Sequence, residues 1–238
     1  MIPPASVPTC RVEWRGARRI IRSPYPPIDL FEDLADPADW PLLISAEMKT
    51  NPRLMETIGN LDLVPQSRRV AGPGASYLMA PFTHTSPDRP SRFTDGRLGV
   101  LYAAGDFETA LFETIHHHER FMSATAEPAG WTSTFREIVF DVAADLNDLR
   151  SGDPAVAPLL DPDEYGPAQA FAVAVRAAGA EGVVYPSVRR SGASCVALFH
   201  PDLAGAAVQG RHLDYHWDGS RVNYVREHGA AATILAVE

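Results

Sequence analysis

Two cysteines, Cys10 and Cys195, are all the chain carries, and their spacing matches neither a metal site nor a redox motif. That excludes a disulfide scaffold and fits a reduced, cytoplasmic protein better than a secreted one. Positive charge is also in deficit. The formal net charge is −9 at pH 7, so broad binding of nucleic-acid phosphates is not expected. No apolar run approaches the roughly 20 residues that cross a bilayer. The opening "MIPPASVPTC" lacks a basic segment followed by an apolar one, so neither a secretory signal nor a membrane role is expected. Internal repeats, low-complexity tracts and a Walker motif are absent, and "GPG" at 72–74 is not a dinucleotide fingerprint. What remains is ordinary globular composition at 238 residues, enough to bury a core without staples.

The pattern along the chain predicts an α+β fold, one domain over 1–238 with a mostly antiparallel sheet. "CRVEWRGARRIIR" (10–22) alternates as a strand. Short helices are expected within 25–60, where Asp36 and Asn51 each precede a proline, and this helical extension runs to about 70. The core is expected over about 71–227. "AGPGASYLMAPFTH" (71–84) reads as a Gly/Pro loop entering a short apolar strand, and "LGVLYAA" (98–104) as a buried strand. Asp106 should cap a helix over about 107–122, with Glu108 near its positive end. A strand lies within 132–146. A small-residue helix within 163–182 should close at Gly179. Two strands, 182–188 and 194–200, flank the loop "RRSGA". The alternation on either side of Asp218-Gly219 predicts a hairpin over 211–227.

Two stretches carry candidate chemistry. In "RFTDGRLGVLYAAGDFETALFET" (92–114) an arginine, a tyrosine and a glutamate surround a strand-to-helix turn. The Arg92 fork suits a diphosphate or carboxylate. Tyr102 offers a flat face and a hydroxyl. Glu113 lies beside the apolar stripe of its helix, where a half-buried carboxylate can steady a developing oxocarbenium ion or hold a ribose hydroxyl. The bland alternative is a surface arginine, a core tyrosine and a solvated helix glutamate. In the second stretch, "GVVYPSVRRSGASCVALFH" (182–200), Ser187 follows Pro186 at a strand end. Its bland alternative is a hairpin loop with solvated arginines.

Together, "RFTDGRLGVLYAAGDFETALFETIHHHERF" and "GVVYPSVRRSGASCVALF" resemble the RES domain, most strongly over about 90–200. The segment 19–84 resembles the branch of that family with a longer N-terminal part. The resemblance implies a fold like that of ADP-ribosylating toxins and a place in a toxin–antitoxin pair. The partner it implies is an Xre/helix-turn-helix antitoxin. It also implies NAD as substrate, broken at the nicotinamide–ribose bond, with ADP-ribose passed to a protein, phosphate or water. The longer N-terminal part favours a protein acceptor. Matched residue by residue, the family's positions fall on Arg92, Tyr102, Glu113 and Ser187. Ser191 and Ser194 compete with Ser187, and Arg89 and Arg97 match less well than Arg92. A first-strand arginine also belongs to the pattern. Arg19 is its best candidate, beside Arg18 and Arg22. Glu113, Arg92 and Tyr102 would be catalytic. Arg92, Tyr102, Ser187 and Arg19 would bind NAD.

No metal is implied, because the leaving pyridinium is already cationic. "HHH" at 116–118 does not alter this, since consecutive helical residues point about 100° apart and cannot share one ligand face. His117, four residues after Glu113, could bond it. Asp161, Asp163 and Glu164 lack EF-hand spacing and read as a helix start. Ser187 lacks the surrounds of an acyl nucleophile. A rival of another class is a non-catalytic module that only binds NAD or docks an antitoxin.

Overall fold

The computed structural model describes residues 2–23 and 59–236. The helices expected within 25–60, with Asp36 and Asn51 as caps, fall on 24–58, outside the described residues.

Among the described residues, eight strands make one sheet. They are β1 (Thr9–Arg22), β2 (Leu101–Ala104), β3 (Thr132–Asp148), β4 (Gly182–Pro186), β5 (Ser194–Leu198), β6 (Val208–Trp217), β7 (Val222–Glu227) and β8 (Thr233–Ala236). Their order is β1-β2-β5-β4-β3-β6-β7-β8. Only the β3–β4 contact is parallel, at Asn147 and Asp148. The expected α+β fold with a mostly antiparallel sheet is what the chain adopts. The sheet takes in β1 and β8, so it reaches beyond 71–227 at both ends. The β6–β7 hairpin turns at Gly219, whose φ of 103° only glycine takes without strain.

β1 also pairs with β3 from Thr9↔Asn147 to Arg22↔Phe135. The pairings β1–β2, β2–β5, β5–β4, β4–β3 and β3–β1 therefore close a ring. β2 joins β1 through one residue pair, Arg18↔Ala104. β3 can serve three partners because it is long. One edge takes β1, while the other takes β6 near its start and β4 at its end.

Among the described residues, three α-helices cover this sheet. α1 spans Ala75–Thr83, where the sequence pattern reads as a strand. A short apolar run fits either period, and only packing decides between them. Here Leu78, Met79 and Phe82 recur at helical spacing and are buried against Val184, Val196 and Leu198 of the sheet. The preceding Gly74 has φ 80°, and a β-carbon there would lie 1.9 Å from the Ala207 carbonyl oxygen. The "GPG" turn thus docks on the chain before β6 and launches a helix. α2 spans Phe107–Ser123. Its Asp106 cap accepts the Thr109 N–H at 2.9 Å and the Thr109 hydroxyl at 2.7 Å. α3 spans Gly166–Ala177 and ends before Gly179, which has φ 85°. The faces of β4 and β5 alternate. Val183 and Ala197 pack toward Leu111, Ile115 and Phe171 of α2 and α3, and their neighbours Val184 and Val196 pack toward α1.

Of the three consecutive histidines, His118 is a core residue. It is buried with its ring 5.0 Å from Phe135 and 5.9 Å from Tyr215. Burial first, and then the Arg22 cation, lower its pKa to about 4. Among the described residues no cluster of His, Cys, Asp and Glu suits a metal. The unfolded chain protonates His118 near its ordinary 6.5 and the folded chain only near 4. The neutral ring therefore contributes its full stability above about pH 6.5, and that contribution is lost as pH falls toward 4. His118→Phe should flatten this part of the pH–stability curve while changing stability at pH 7.5 by less than about 1.5 kcal/mol. Urea unfolding at pH 7.5 and pH 5 checks both.

Candidate active site

α2, the β2 end of the ring, the loop 90–92 and the start of α3 enclose a cavity of about 720 Å³. Arg19, Arg92, Tyr102 and Glu113, all expected at the site, line it. The chain folds so that residues 19, 92, 102 and 113 meet because β1 and β2 are ring neighbours and α2 leaves β2 through a two-residue turn.

Glu113 sits seven residues after the Asp106 cap, on the cavity face of α2. Its Oε1 accepts the Ser187 hydroxyl at 2.6 Å, and the Cys195 thiol lies 4.0 Å from the same oxygen. Its Oε2 makes no hydrogen bond among the described residues, so one carboxylate oxygen is anchored and the other is left for a ligand. Burial, and next the nearby Glu113 carboxylate, push the Cys195 thiol well above its ordinary pKa. Cys195 is thus a neutral, unreactive neighbour.

Ser187 is buried and does not line the cavity itself. Its hydroxyl accepts the Arg189 and Arg190 N–H groups at 3.2 and 3.0 Å while donating to Glu113. The strand end of β4 therefore holds the carboxylate from behind. Ser191 and Ser194 make no such bond. The next residues extend the brace. Arg190 reaches the start of α2, where it pairs with Glu108 and donates to Asp106 at 3.3 Å and to Thr109 at 3.2 Å. One loop fixes both the carboxylate and the helix end that carries it.

Arg92 is only 6% exposed. Its Nη1 donates to the carbonyls of Leu159 at 3.2 Å and Asp161 at 2.5 Å, and its guanidinium lies 4.8 Å over the Tyr165 ring. The fork is pinned along one edge and stacked, which orients what remains of it along the cavity wall. Tyr102 is tethered as well. Its hydroxyl lies 2.8 Å from the Ser91 hydroxyl and accepts the Phe93 N–H at 2.9 Å. Burial raises its pKa, against the pull of those hydrogen bonds and of Arg176 and Arg92, so it stays a neutral phenol. Arg19 Nη1 donates to the Tyr102 carbonyl at 3.0 Å. Burial lowers its pKa to about 10, and it remains a cation at neutral pH. Arg18 also lines the cavity, whereas Arg22 lies against Phe121 at 5.0 Å.

Several lining residues escaped sequence reasoning. Gln169 of α3 donates to the Ser91 and Thr94 carbonyls at 3.0 and 3.3 Å and so holds the loop that carries Arg92. Tyr165, the stacking partner of Arg92, sits at the α3 start. Arg120 and Arg189 complete the cationic wall. Arg120 was findable, being seven residues from Glu113 and on the same helical face. Gln169, Tyr165 and Arg189 reach the site only through tertiary contacts. His117 lines the cavity but makes no hydrogen bond to Glu113 among the described residues. Desolvation lowers its pKa despite the opposing Glu113 charge.

Charge around the cavity runs against that of the whole chain. Arg18, Arg19, Arg92, Arg120 and Arg189 line it, while Asp163 and Glu164 at the α3 start are, among the described residues, the only acidic lining residues besides Glu113. A cationic pocket with one braced carboxylate and aromatic walls suits a ligand that has phosphate, a flat ring and a centre that becomes positive.

Such a fold and pocket define an α+β protein with a helix-borne carboxylate facing a closed, mostly antiparallel sheet. The RES domain model matches residues 67–218, and the chain belongs to the RES domain family. β1 and its arginines precede the matched span. A Sinorhizobium fredii protein known as the uncharacterized protein y4oC is 28% identical over 213 residues, covering 86% of this chain and 84% of its own. A chain in the crystal structure of the M. tuberculosis MbcT–MbcA toxin–antitoxin complex aligns at 13% identity with a TM-score of 0.42, covering 87% of each chain.

The pinned state of Arg92 separates it from its neighbour in the turn. Arg97 is mostly exposed and pairs with Asp95 at 3.0 Å. Arg92→Ala should cost about 2–4 kcal/mol, because two buried carbonyls lose their donor. Arg97→Ala should cost less than about 0.5 kcal/mol. Denaturant unfolding of the two variants compares them.

Proposed function

We propose that the protein is the toxin of a toxin–antitoxin pair that cleaves the nicotinamide–ribose bond of NAD and transfers ADP-ribose to an acceptor. The observation that supports this most is the half-free Glu113 carboxylate beneath an arginine-lined cavity in an acidic chain. RES family membership supports it independently.

On this reading the arginines take the diphosphate. The Tyr102 ring lies along the nicotinamide side, and Glu113 Oε2 faces the reacting ribose. The C1′–N bond breaks with its electron pair going to the ring nitrogen, so nicotinamide leaves neutral and positive charge grows on the ribose. A carboxylate at that point binds the transition state more strongly than bound NAD, which is the condition for catalysis. The acceptor then forms the new bond to C1′ and gives up its proton. No metal takes part in this scheme. Ser187 serves by holding Glu113. The acceptor we favour is a protein side chain, on account of the long N-terminal part; NAD depletion by transfer to phosphate or water is the alternative. A helix-turn-helix antitoxin of the Xre type would silence the toxin by covering the cavity. The rival binding module differs in one observable, since it would bind NAD and release no nicotinamide.

Incubation with NAD should release nicotinamide. Mass spectrometry in phosphate buffer with cell lysate should show a protein heavier by one ADP-ribose; a ribosyl-phosphate product instead would move the acceptor to phosphate. Glu113→Gln keeps the shape and removes the charge. It should lower turnover about 100- to 1,000-fold, equivalent to roughly 2.7–4 kcal/mol, with little change in NAD affinity. Glu108→Gln, which loses the Arg190 pair and some helix-dipole stabilisation, should cost a little stability and leave turnover alone. Near-normal turnover in a folded Glu113→Gln variant would remove Glu113 from the chemistry.

A further inference from the structure

Glu137 on β3 has only 4% of its side chain exposed and does not line the cavity. A buried carboxylate is costly unless it is paired and hydrogen-bonded. Its partners come from the two strands beside it. Arg18 Nε on β1 lies 2.9 Å from Oε1. On β6, the Arg211 N–H donates to Oε2 at 3.2 Å, and Arg211 Nε lies 3.6 Å away.

The β3–β6 ladder is irregular opposite Glu137, and β1 is irregular just before Arg18. The β1–β3 register shifts between Trp14 and Ala17. Gly16 lies in that shift with φ 66°, and its carbonyl accepts Arg18 Nη1 at 2.5 Å. The β3–β6 register shifts between Arg136 and Ile138, so that Gly210 and Arg211 both face Glu137. A β-carbon on Gly210 would stand 2.6 Å from Glu137 Oε2, and glycine leaves that space to the carboxylate. Bulges of this kind re-aim side chains beside active sites. The Arg18 guanidinium is thus held by an ion pair at Nε, without hydrogen-bond alignment to Oε1, and by a hydrogen bond at Nη1. Its Nη2 makes no contact of its own among the described residues, and the side chain lines the cavity.

We infer that Glu137 is a positioning residue that fixes Arg18 as a contact for the diphosphate of the ligand from the strand side. The inference rests on the dinucleotide reading above, and it goes beyond it by assigning the role of a buried carboxylate outside the cavity. Glu137 acts through ground-state orientation, so its loss should appear in binding rather than in the chemical step.

The test uses the full chain and two readouts. Calorimetric titration with ADP-ribose reads the diphosphate contact whether or not NAD is turned over. Nicotinamide release across NAD concentrations separates KM from kcat. Arg18→Gln should weaken ADP-ribose binding and raise KM about ten-fold or more, as expected for one charge-assisted contact. Glu137→Gln should move both in the same direction, and so should Gly210→Ala, which displaces the carboxylate without removing it. In each, kcat should stay within about two-fold of the parent chain. Unchanged ADP-ribose binding in Arg18→Gln overturns the contact. Weakened binding there, with unchanged binding in folded Glu137→Gln or Gly210→Ala, overturns the positioning role, as does a fall confined to kcat. If neither β3–β6 variant folds, Arg18→Lys, which keeps the charge and loses the Nε that faces Glu137, decides the positioning role: weakened ADP-ribose binding supports it and parent-like binding overturns it. ADP-ribose binding with no nicotinamide release by the parent chain would instead sink the functional reading and leave this inference standing.

Discussion

Strand β1 pairs with β3 over its whole length, joining residues 9–22 to residues 135–147, and the cavity depends on that pairing. Without it, the single Arg18↔Ala104 pair with β2 would be the only ladder pairing left to β1 among the described residues. The ring would open, and the cavity would lose Arg18, Arg19 and Ile20 from its wall. The pairing is non-local, so its loop-closure entropy must be met by many contacts at once. The buried Val12, Ala17 and Ile20 on β1 and Ile138, Phe140, Val142 and Ala144 on β3 provide them.

On this frame the site is built by cross-bracing. Four of the polar side chains at the cavity are held by partners from elsewhere in the chain. Glu113 is held by Ser187, Arg92 by the Leu159 and Asp161 carbonyls, Tyr102 by Ser91 and Phe93, and Arg18 by Glu137. Such bracing settles geometry before any ligand arrives and lowers the cost of ordering on binding. It also concentrates cation. Five arginines around one pocket repel one another, and the cost is offset in part where Arg18, Arg19, Arg92 and Arg189 meet carbonyls, a carboxylate or an aromatic face. A dianionic ligand group would relieve what remains of that repulsion.

Much of the site was legible because its parts are local. The Asp106 cap, the helix after it and the position of Glu113 on the helix follow from capping chemistry and the 3.6-residue period. Arg92, Tyr102 and Ser187 were legible from their motifs. The exception among the elements is α1. Its apolar run fits both periods, and Pro81 and the glycines before it suggest a loop and strand. Burial of Leu78, Met79 and Phe82 against the sheet decides for helix.

Sequence alone determined the fold class, most element positions and the residue types around the site, because propensity, capping and turn chemistry act over a few neighbours. Only the tertiary structure decided what each of those residues touches. Ser187 was expected at the ligand, and what its hydroxyl touches in the structure is Glu113. Arg92 was expected to hold phosphates, and the structure adds that its guanidinium is pinned along one edge. Gln169, Tyr165 and Glu137 carry no local signal, since their roles arise from strands and helices far apart in the chain. Contacts of that kind depend on the register of β1 on β3 and of β3 on β6, and a one-residue slip in either would turn the same side chains away from the cavity.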